Sequence, residues 1–415
     1  MRRSVANPPE GRSQTERRLV LVISAVVFVD TMFYAVIAPL LPGLAHELRL
    51  SKLSAGLMTA SYPIGTLLGS LPGGMLVVRA GPRVTVCTGL ALLAFSTIAF
   101  GVLDDAAALD AARFVEGVGG ACSWAGGIAW IAVQTPVDRR GAMIGRAVGA
   151  AVGGALFGPV IGTIATAIGR PATFGSVAVV AGILIAQTRS LPSDHASSGQ
   201  GLGSLAAVLH RPRIAAGMWL VALPAIAAGT VNVLGPLRLH RFGAPAAVIG
   251  ATFLLAAAVE AAMAPAIGSL SDRRGRLTPL RYGLALATVA LCCFTLPDGV
   301  VPLAVVIVVV SVALATFWAP AMAMLSDAAE AHGLDQGLAA ALMNLAWAGG
   351  QIVGSGGGGA VAKSSGDALP TVVAAGLCAA TLAALALLPT RRLGMTLSSG
   401  DAIPSRAAGR TEGCD

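Results

Sequence analysis

Gly268-Ser269-Leu270-Ser271-Asp272-Arg273-Arg274-Gly275-Arg276 is a short charged turn set between two long apolar runs. A degraded copy precedes it: Gly74, Arg79, Gly81 and Arg83 keep its spacing, with Val78 where the acid would stand. Gly81 to Gly275 is a step of 194, just under half of this 415-residue chain. A second self-match follows, because Gly154, Gly158 and Gly162 recur as Gly350, Gly354 and Gly358 at a step of 196. Internal repeats fix architecture before local readings do. These two imply one half-molecule used twice.

Composition names the solvent of those halves. Hydrophobic residues make up 55% and charged residues 12%, against about 25% charged in soluble domains. Apolar runs of about twenty residues recur, each long enough to cross a ~30 Å hydrocarbon core as a helix. The formal charge of +8 does not point to nucleic acid, since membrane proteins gather basic residues in cytoplasmic loops. Most cysteines lie inside apolar runs, where a thiol acts as a small hydrophobe, and no spacing predicts a metal site or a disulfide framework. The histidines His46, His195, His210, His240 and His332 are scattered through loops and span ends. A membrane-embedded enzyme needs clustered nucleophiles or metal ligands, so no catalytic group and no cofactor is expected.

The expected fold is an all-α membrane protein with twelve transmembrane helices in two pseudo-symmetric six-helix bundles. The first bundle covers 19–188, with helices near 19–44, 54–78, 83–103, 107–133, 141–168 and 171–188. The second covers 212–389, with helices near 212–237, 245–270, 278–296, 301–326, 336–362 and 367–389. A polar linker, 189–211, joins them, and polar tails occupy 1–18 and 390–415. The first run is too long for the ~7–15-residue core of a cleavable signal. Outside the spans, all basic residues but Arg49, Lys52, Arg170, Arg238, Arg241 and Lys363 fall on the side of the two chain ends. The rule of positive loops then puts both termini in the cytoplasm; Arg238 and Arg241 run against it. Pro39, Pro42 and Pro236 should kink their helices.

Charges inside spans mark function, because each costs at least ~2.5–3.5 kcal/mol at the bilayer centre. Asp30, Arg113, Glu116 and Glu260 are the candidates. Asp30, midway along the first helix, is the expected site for a proton or a cation. Arg113 and Glu116, three apart on one helix face, either neutralise each other or take part in coupling. Glu260 has no charged residue one turn away, and is either a second titrating site or a buried acid kept neutral by a raised pKa. Tyr34, Trp124, Asn232, Trp318, Asn344 and Gln351 are candidate cavity residues. Gly154, Gly158 and Gly162 share a helix face and allow close helix approach, with Pro159 bending that helix. Asp272 can cap the start of a neighbouring helix, near Arg140 and Gly141 by pseudo-symmetry. Asp327, Glu330 and Asp335 form an acidic loop that can pair with basic loops.

In order, these motifs resemble those of the major facilitator superfamily. The turn at Gly268–Arg276 and its copy at Gly74–Arg83 resemble that family's loop signature. Arg113, Gly117 and Gly119 resemble its R-x-x-x-G-x-G element, and Gly154, Gly158, Pro159 and Gly162 resemble the glycine-proline signature of its antiporters. Asp30, Tyr34, Pro39 and Pro42 are similar to the drug:proton antiporters, including multidrug efflux and vesicular monoamine transporters. The resemblance implies a secondary transporter driven by a proton gradient, with Arg113 tied to proton coupling and Asp272, Arg273, Gly275 and Arg276 helping to latch one state. It implies export of a small organic solute or drug; uptake by symport on the same fold is the alternative. Its partners would be the lipid bilayer, the solute and protons, not nucleic acid. The expected setting is the bacterial inner membrane, as a monomer.

Overall fold

The computed structural model describes residues 10–192, 208–334 and 336–387. Among these, every regular element is helical. In chain order, α1 is a broken rod, Glu10–Ala35 and Ile37–Glu47. Then come α2 (Lys52–Ala80), α3 (Pro82–Val102), α4 (Ala106–Gln134), α5 (Val137–Ile168) and α6 (Arg170–Arg189). The second half holds α7 (Pro212–Arg241), α8 (Ala246–Arg274), α9 (Leu277–Cys292) and α10 (Val300–Ala331). It ends with α11 (Gln336–Ile352, a π turn at Val353–Gly357, then Gly358–Ser365) and α12 (Ala368–Leu387). The helix α1 starts at Glu10, inside the stretch expected as tail. The central part of the 189–211 linker and the 390–415 tail lie outside the described residues.

Ten of these helices are long and apolar enough to cross a membrane. The other two, α4 and α11, fall short for local reasons. The apolar run of α4 is diluted by Asp110, Arg113, Glu116 and several glycines, and α11 is interrupted by the π turn. Both still pack as full members of their bundles, α4 against α2 and α3, and α11 against α7. We call the face carrying Glu10 and Leu387 proximal and the opposite face distal.

The duplication is visible in backbone geometry. Gly81 and Gly275 end α2 and α8 with φ of 86° and 81° and nearly equal ψ. Only glycine enters that region without a Cβ penalty, so both copies of the turn keep it. The two glycine series also do the same job. On α5, Cβ atoms added at Gly154, Gly158 and Gly162 would overlap the Phe28, Met32 and Val36 carbonyls of α1. On α11, Cβ atoms at Gly350 and Gly354 would overlap the Ala222 and Ile226 carbonyls of α7, and one at Gly358 would press on Thr230. Residues 28, 32 and 36 map onto 222, 226 and 230, the same 194 step as the turns. In this register the counterpart of Asp30 is Pro224, so the acid belongs to one half only.

The break in α1 has a cause. Pro39 cannot donate to the Ala35 carbonyl, and helical bonding lapses at Val36, beyond which Ile37–Glu47 leans on α7 and α8 of the other bundle. By contrast α7 runs uninterrupted through Pro224 and Pro236. Cross-bundle contacts are distal. Cβ atoms at Gly56 and Gly359 would strike Ser355 and Lys52 across the α2–α11 seam, and one at Gly250 would strike Thr163 across the α5–α8 seam. The proximal stretches of α5 and α8 stay exposed, with nothing within 4 Å of a Cβ at Gly145, Gly149 or Gly268. The molecule is shut distally.

Candidate functional site

Asp30 lies on the first stretch of α1, six residues before the break, and is 1% exposed. Its Oδ2 accepts hydrogen bonds from the Tyr62 hydroxyl on α2 and from Trp124 Nε1 on α4, both at 3.1 Å. Its Oδ1 has no partner among the described residues. That oxygen faces Gly120, where an added Cβ would stand 2.7 Å from both Asp30 Oδ1 and the Tyr62 hydroxyl. The carboxylate and the Tyr62 hydroxyl therefore fit against α4 because residue 120 has no side chain.

Arg113, also 1% exposed, is engaged nearby through both Nη atoms, while its Nε has no partner among the described residues. Its Nη1 bonds the Glu116 carboxylate at 3.0 Å and the Phe33 carbonyl at 3.0 Å, and Nη2 reaches the Tyr34 carbonyl at 3.2 Å. Those carbonyls lie just before the α1 break, so the guanidinium satisfies acceptors there while its charge is met by Glu116. Two charges three residues apart on one helix do form a pair, and both are buried. The guanidinium also stacks 5.3 Å from the Tyr62 ring centroid, a favourable cation–π distance.

Aromatic rings and amides extend the site across the bundles. The Tyr34 ring lies 5.0 Å from that of Tyr62 and 5.3 Å from that of Trp347 on α11. Gln351 on α11 and Asn232 on α7 lie beside the Tyr34 hydroxyl. Five helices thus meet at one place: α1, α2, α4, α7 and α11.

Of the residues singled out in the sequence, the fold brings together Asp30, Tyr34, Arg113, Glu116, Trp124, Asn232 and Gln351. Trp318 and Asn344 are half-buried, on α10 and α11, and none of the described contacts joins them to this cluster. Glu260 lies on α8 with its surface uncovered by the rest of the protein, and none of the described contacts joins it to this cluster. The cluster adds three residues that motif reading passed over, Tyr62, Gly120 and Trp347. Tyr62 and Trp347 were uncharged aromatics in apolar runs, and Gly120 stood among other glycines of α4. Gly117 and Gly119 are packing positions, the first against Tyr62 and Thr66 of α2, the second against Gly89 of α3.

At the proximal turns, Arg79, Arg83 and Arg273 are exposed, and Arg83 reaches the Leu191 carbonyl at 3.4 Å. Arg276 pairs with Asp327 of α10, within its own bundle. The side chains of Asp272, Arg140 and Asp335, on which the proximal latch was expected to turn, lie outside those described.

Comparison with known proteins converges on one family. The family model described as Major Facilitator Superfamily matches residues 23–300 and 214–408. A probable vesicular acetylcholine transporter-B from Danio rerio is 31% identical over 128 residues, covering 29% of this chain and 26% of that protein. Multidrug resistance protein 1 of Bacillus subtilis (strain 168) is 28% identical over 119 residues, 29% of this chain and 31% of that one. The chain thus aligns with under a third of the length of either relative. Among solved structures, the E. coli xylose transporter XylE in a partially occluded inward-open conformation superposes with a TM-score of 0.71 at 14% identity. That match covers 91% of this chain and 98% of the other, and shows a shared fold. With twin bundles, paired turns and a central ionisable cluster, this chain belongs to the Major Facilitator Superfamily of membrane transporters.

Proposed function

We propose that the protein exports a small organic cation in exchange for protons, by alternating access. One observation carries the reading. Asp30 is enclosed and bonded through one oxygen only, while the adjacent cation, Arg113, is already engaged by Glu116 and two carbonyls. An acid kept inside a span without an ion partner serves a charge that comes and goes. The rings of Tyr34, Tyr62, Trp124 and Trp347 around it suit a cationic solute. A proton arriving from the distal side would sit on Asp30 Oδ1 and cancel the charge that holds the cation, favouring its release. Loss of that proton to the proximal side would restore binding. Such exchange requires each ligand to prefer a different facing state, which two bundles rocking about a midplane site provide. Glu260, exposed on α8, is a second group able to titrate along the path.

In this reading the protein sits in the bacterial inner membrane as a monomer, with both chain ends in the cytoplasm and the distal face outside. The proton gradient is its energy source, with no cofactor. The distribution of basic residues supports that orientation.

Reconstitution into proteoliposomes tests the proposal. With an imposed proton gradient, tetraphenylphosphonium should move uphill against the proton flow, and lumenal pH should respond to its addition. Movement of solute with the protons would instead establish a symporter. No proton-linked flux of any cation would remove the proposal.

A further inference from the structure

We infer that Lys52 and Asp367 form the strut that holds the distal face shut, and that its rupture gates passage to the distally open state. Asp367 precedes α12, is 7% exposed, and collects three cations. Lys52 Nζ lies 2.5 Å from its Oδ1, Arg241 pairs with its Oδ2, and Arg238 stands 3.9 Å from Oδ2. Only the first of these bonds crosses between bundles. Arg238 and Arg241 belong to α7, in the same half as Asp367, and hold the carboxylate in place. Arg238 also donates to the Thr295 and Pro297 carbonyls, at 2.7 and 3.1 Å, anchoring the α9–α10 connection beside it. The two arginines that defied the charge rule are thereby explained: they are fastened to an acid.

Lys52 is out of place by local rules. It opens α2, directly after the Ser51 cap, where the helix dipole disfavours a cation. Its placement makes sense through Asp367 and through the Ala362 carbonyl, which it reaches at 3.4 Å. Directly beneath, α2 and α11 approach through Gly56, Ser355 and Gly359, a seam of small residues with little side-chain interlock. Such a seam packs backbone against backbone, and the ion pair above it adds a directed, breakable hold.

The repeat shows that this hold is single. Lys52 corresponds to Ala246 at the 194 step. At a step of 197, Gly366, which precedes Asp367, matches Gly169, which precedes Arg170, and both have positive φ. The α5–α8 seam therefore has alanine and arginine where the α2–α11 seam has lysine and aspartate, and Arg170 is engaged by Asp104 within its own bundle. Among the described residues, an ion pair crosses one seam and none crosses the other.

Electron–electron distance measurements between spin labels at Leu57 and Ser365, in full-length protein free of its native cysteines, would test this. Both positions are exposed, on α2 and at the end of α11. The parent should give one short distance. Lys52→Gln should add a longer population, raising the distally open fraction about fivefold, the scale of a partly exposed ion pair, and Asp367→Asn should do at least as much. Should Asp367→Asn fail to insert, Lys52→Gln decides alone. Arg170→Gln, at the matching place on the other seam, should leave the distances unchanged. Unaltered distances in Lys52→Gln, or equal opening in Arg170→Gln, would overturn the inference. The readout is independent of the direction of transport, so it stands or falls apart from the proposed exchange.

Discussion

At the scale of single residues, the site is built from one acid without an ion partner and one base whose charge is met by Glu116. Asp30→Asn keeps shape and removes the titrating group. It should abolish proton-driven flux while leaving insertion and melting temperature near the parent values, and full pH-driven flux in that variant would remove Asp30 from the mechanism. Glu116→Gln has the opposite signature. It leaves Arg113 buried with only backbone carbonyls and one aromatic face, and unpairing a buried charge costs about 3–5 kcal/mol. The expected outcome is a clear fall in melting temperature, measured in detergent, whatever happens to transport. Gly120→Ala would press a methyl group onto Asp30 Oδ1 and the Tyr62 hydroxyl, and should cut transport about tenfold, as loss of roughly one such hydrogen bond implies. The charged members of the site were legible in the sequence because a charge inside an apolar run is conspicuous. Gly120 was not, because what matters there is an absent side chain beside a residue 90 positions away. Lys52 and Asp367 were not either, since at helix ends they look like ordinary solvated charges until the chain brings positions 315 apart together.

At the scale of elements, the glycine series on α5 and α11 set how closely the bundles are drawn around their leading helices. Spacing of four residues puts these glycines on one face, and the carbonyls they rest on belong to the helices that carry Asp30 and its pseudo-symmetric position. Gly158→Leu would drive a side chain into Ala35 and the Met32 carbonyl, one turn from the α1 break. Overpacking of this kind costs about 1–3 kcal/mol, and transport should stop while the protein still inserts. A fully active variant would show that α1 and α5 need no close contact. Helix number, order and approximate limits followed from apolar period and turn glycines. The split of α1 was announced by Pro39, whereas the π turn in α11 had no signal beyond a run of glycines. Continuous α7, despite two prolines, shows that neighbouring helices can absorb the freed backbone groups.

At the scale of the molecule, the distal closure has a predictable response to acid. Burial favours the neutral form of Asp367, but hydrogen bonds and charge from Lys52 and Arg241 outweigh it and hold the carboxyl below its usual range. Lys52, Arg238 and Arg241 are the charged groups facing it. A depressed value means the strut is at full strength above the ordinary carboxylate range and weakens only as pH falls through the lowered one. The factor by which Lys52→Gln raises the distally open fraction should therefore be constant between about pH 5 and 8, and shrink only in stronger acid; a change of that factor within the neutral range would contradict the assignment. The duplicated plan has one more consequence. Each copy carries complete surfaces for both seams, and the start of the linker is tied to the first copy alone, through Trp130 and the Pro192 carbonyl. Two separately translated polypeptides, severed within 193–207, should find each other in the bilayer and reconstitute a working carrier, much as the ancestral half would once have paired with its own twin.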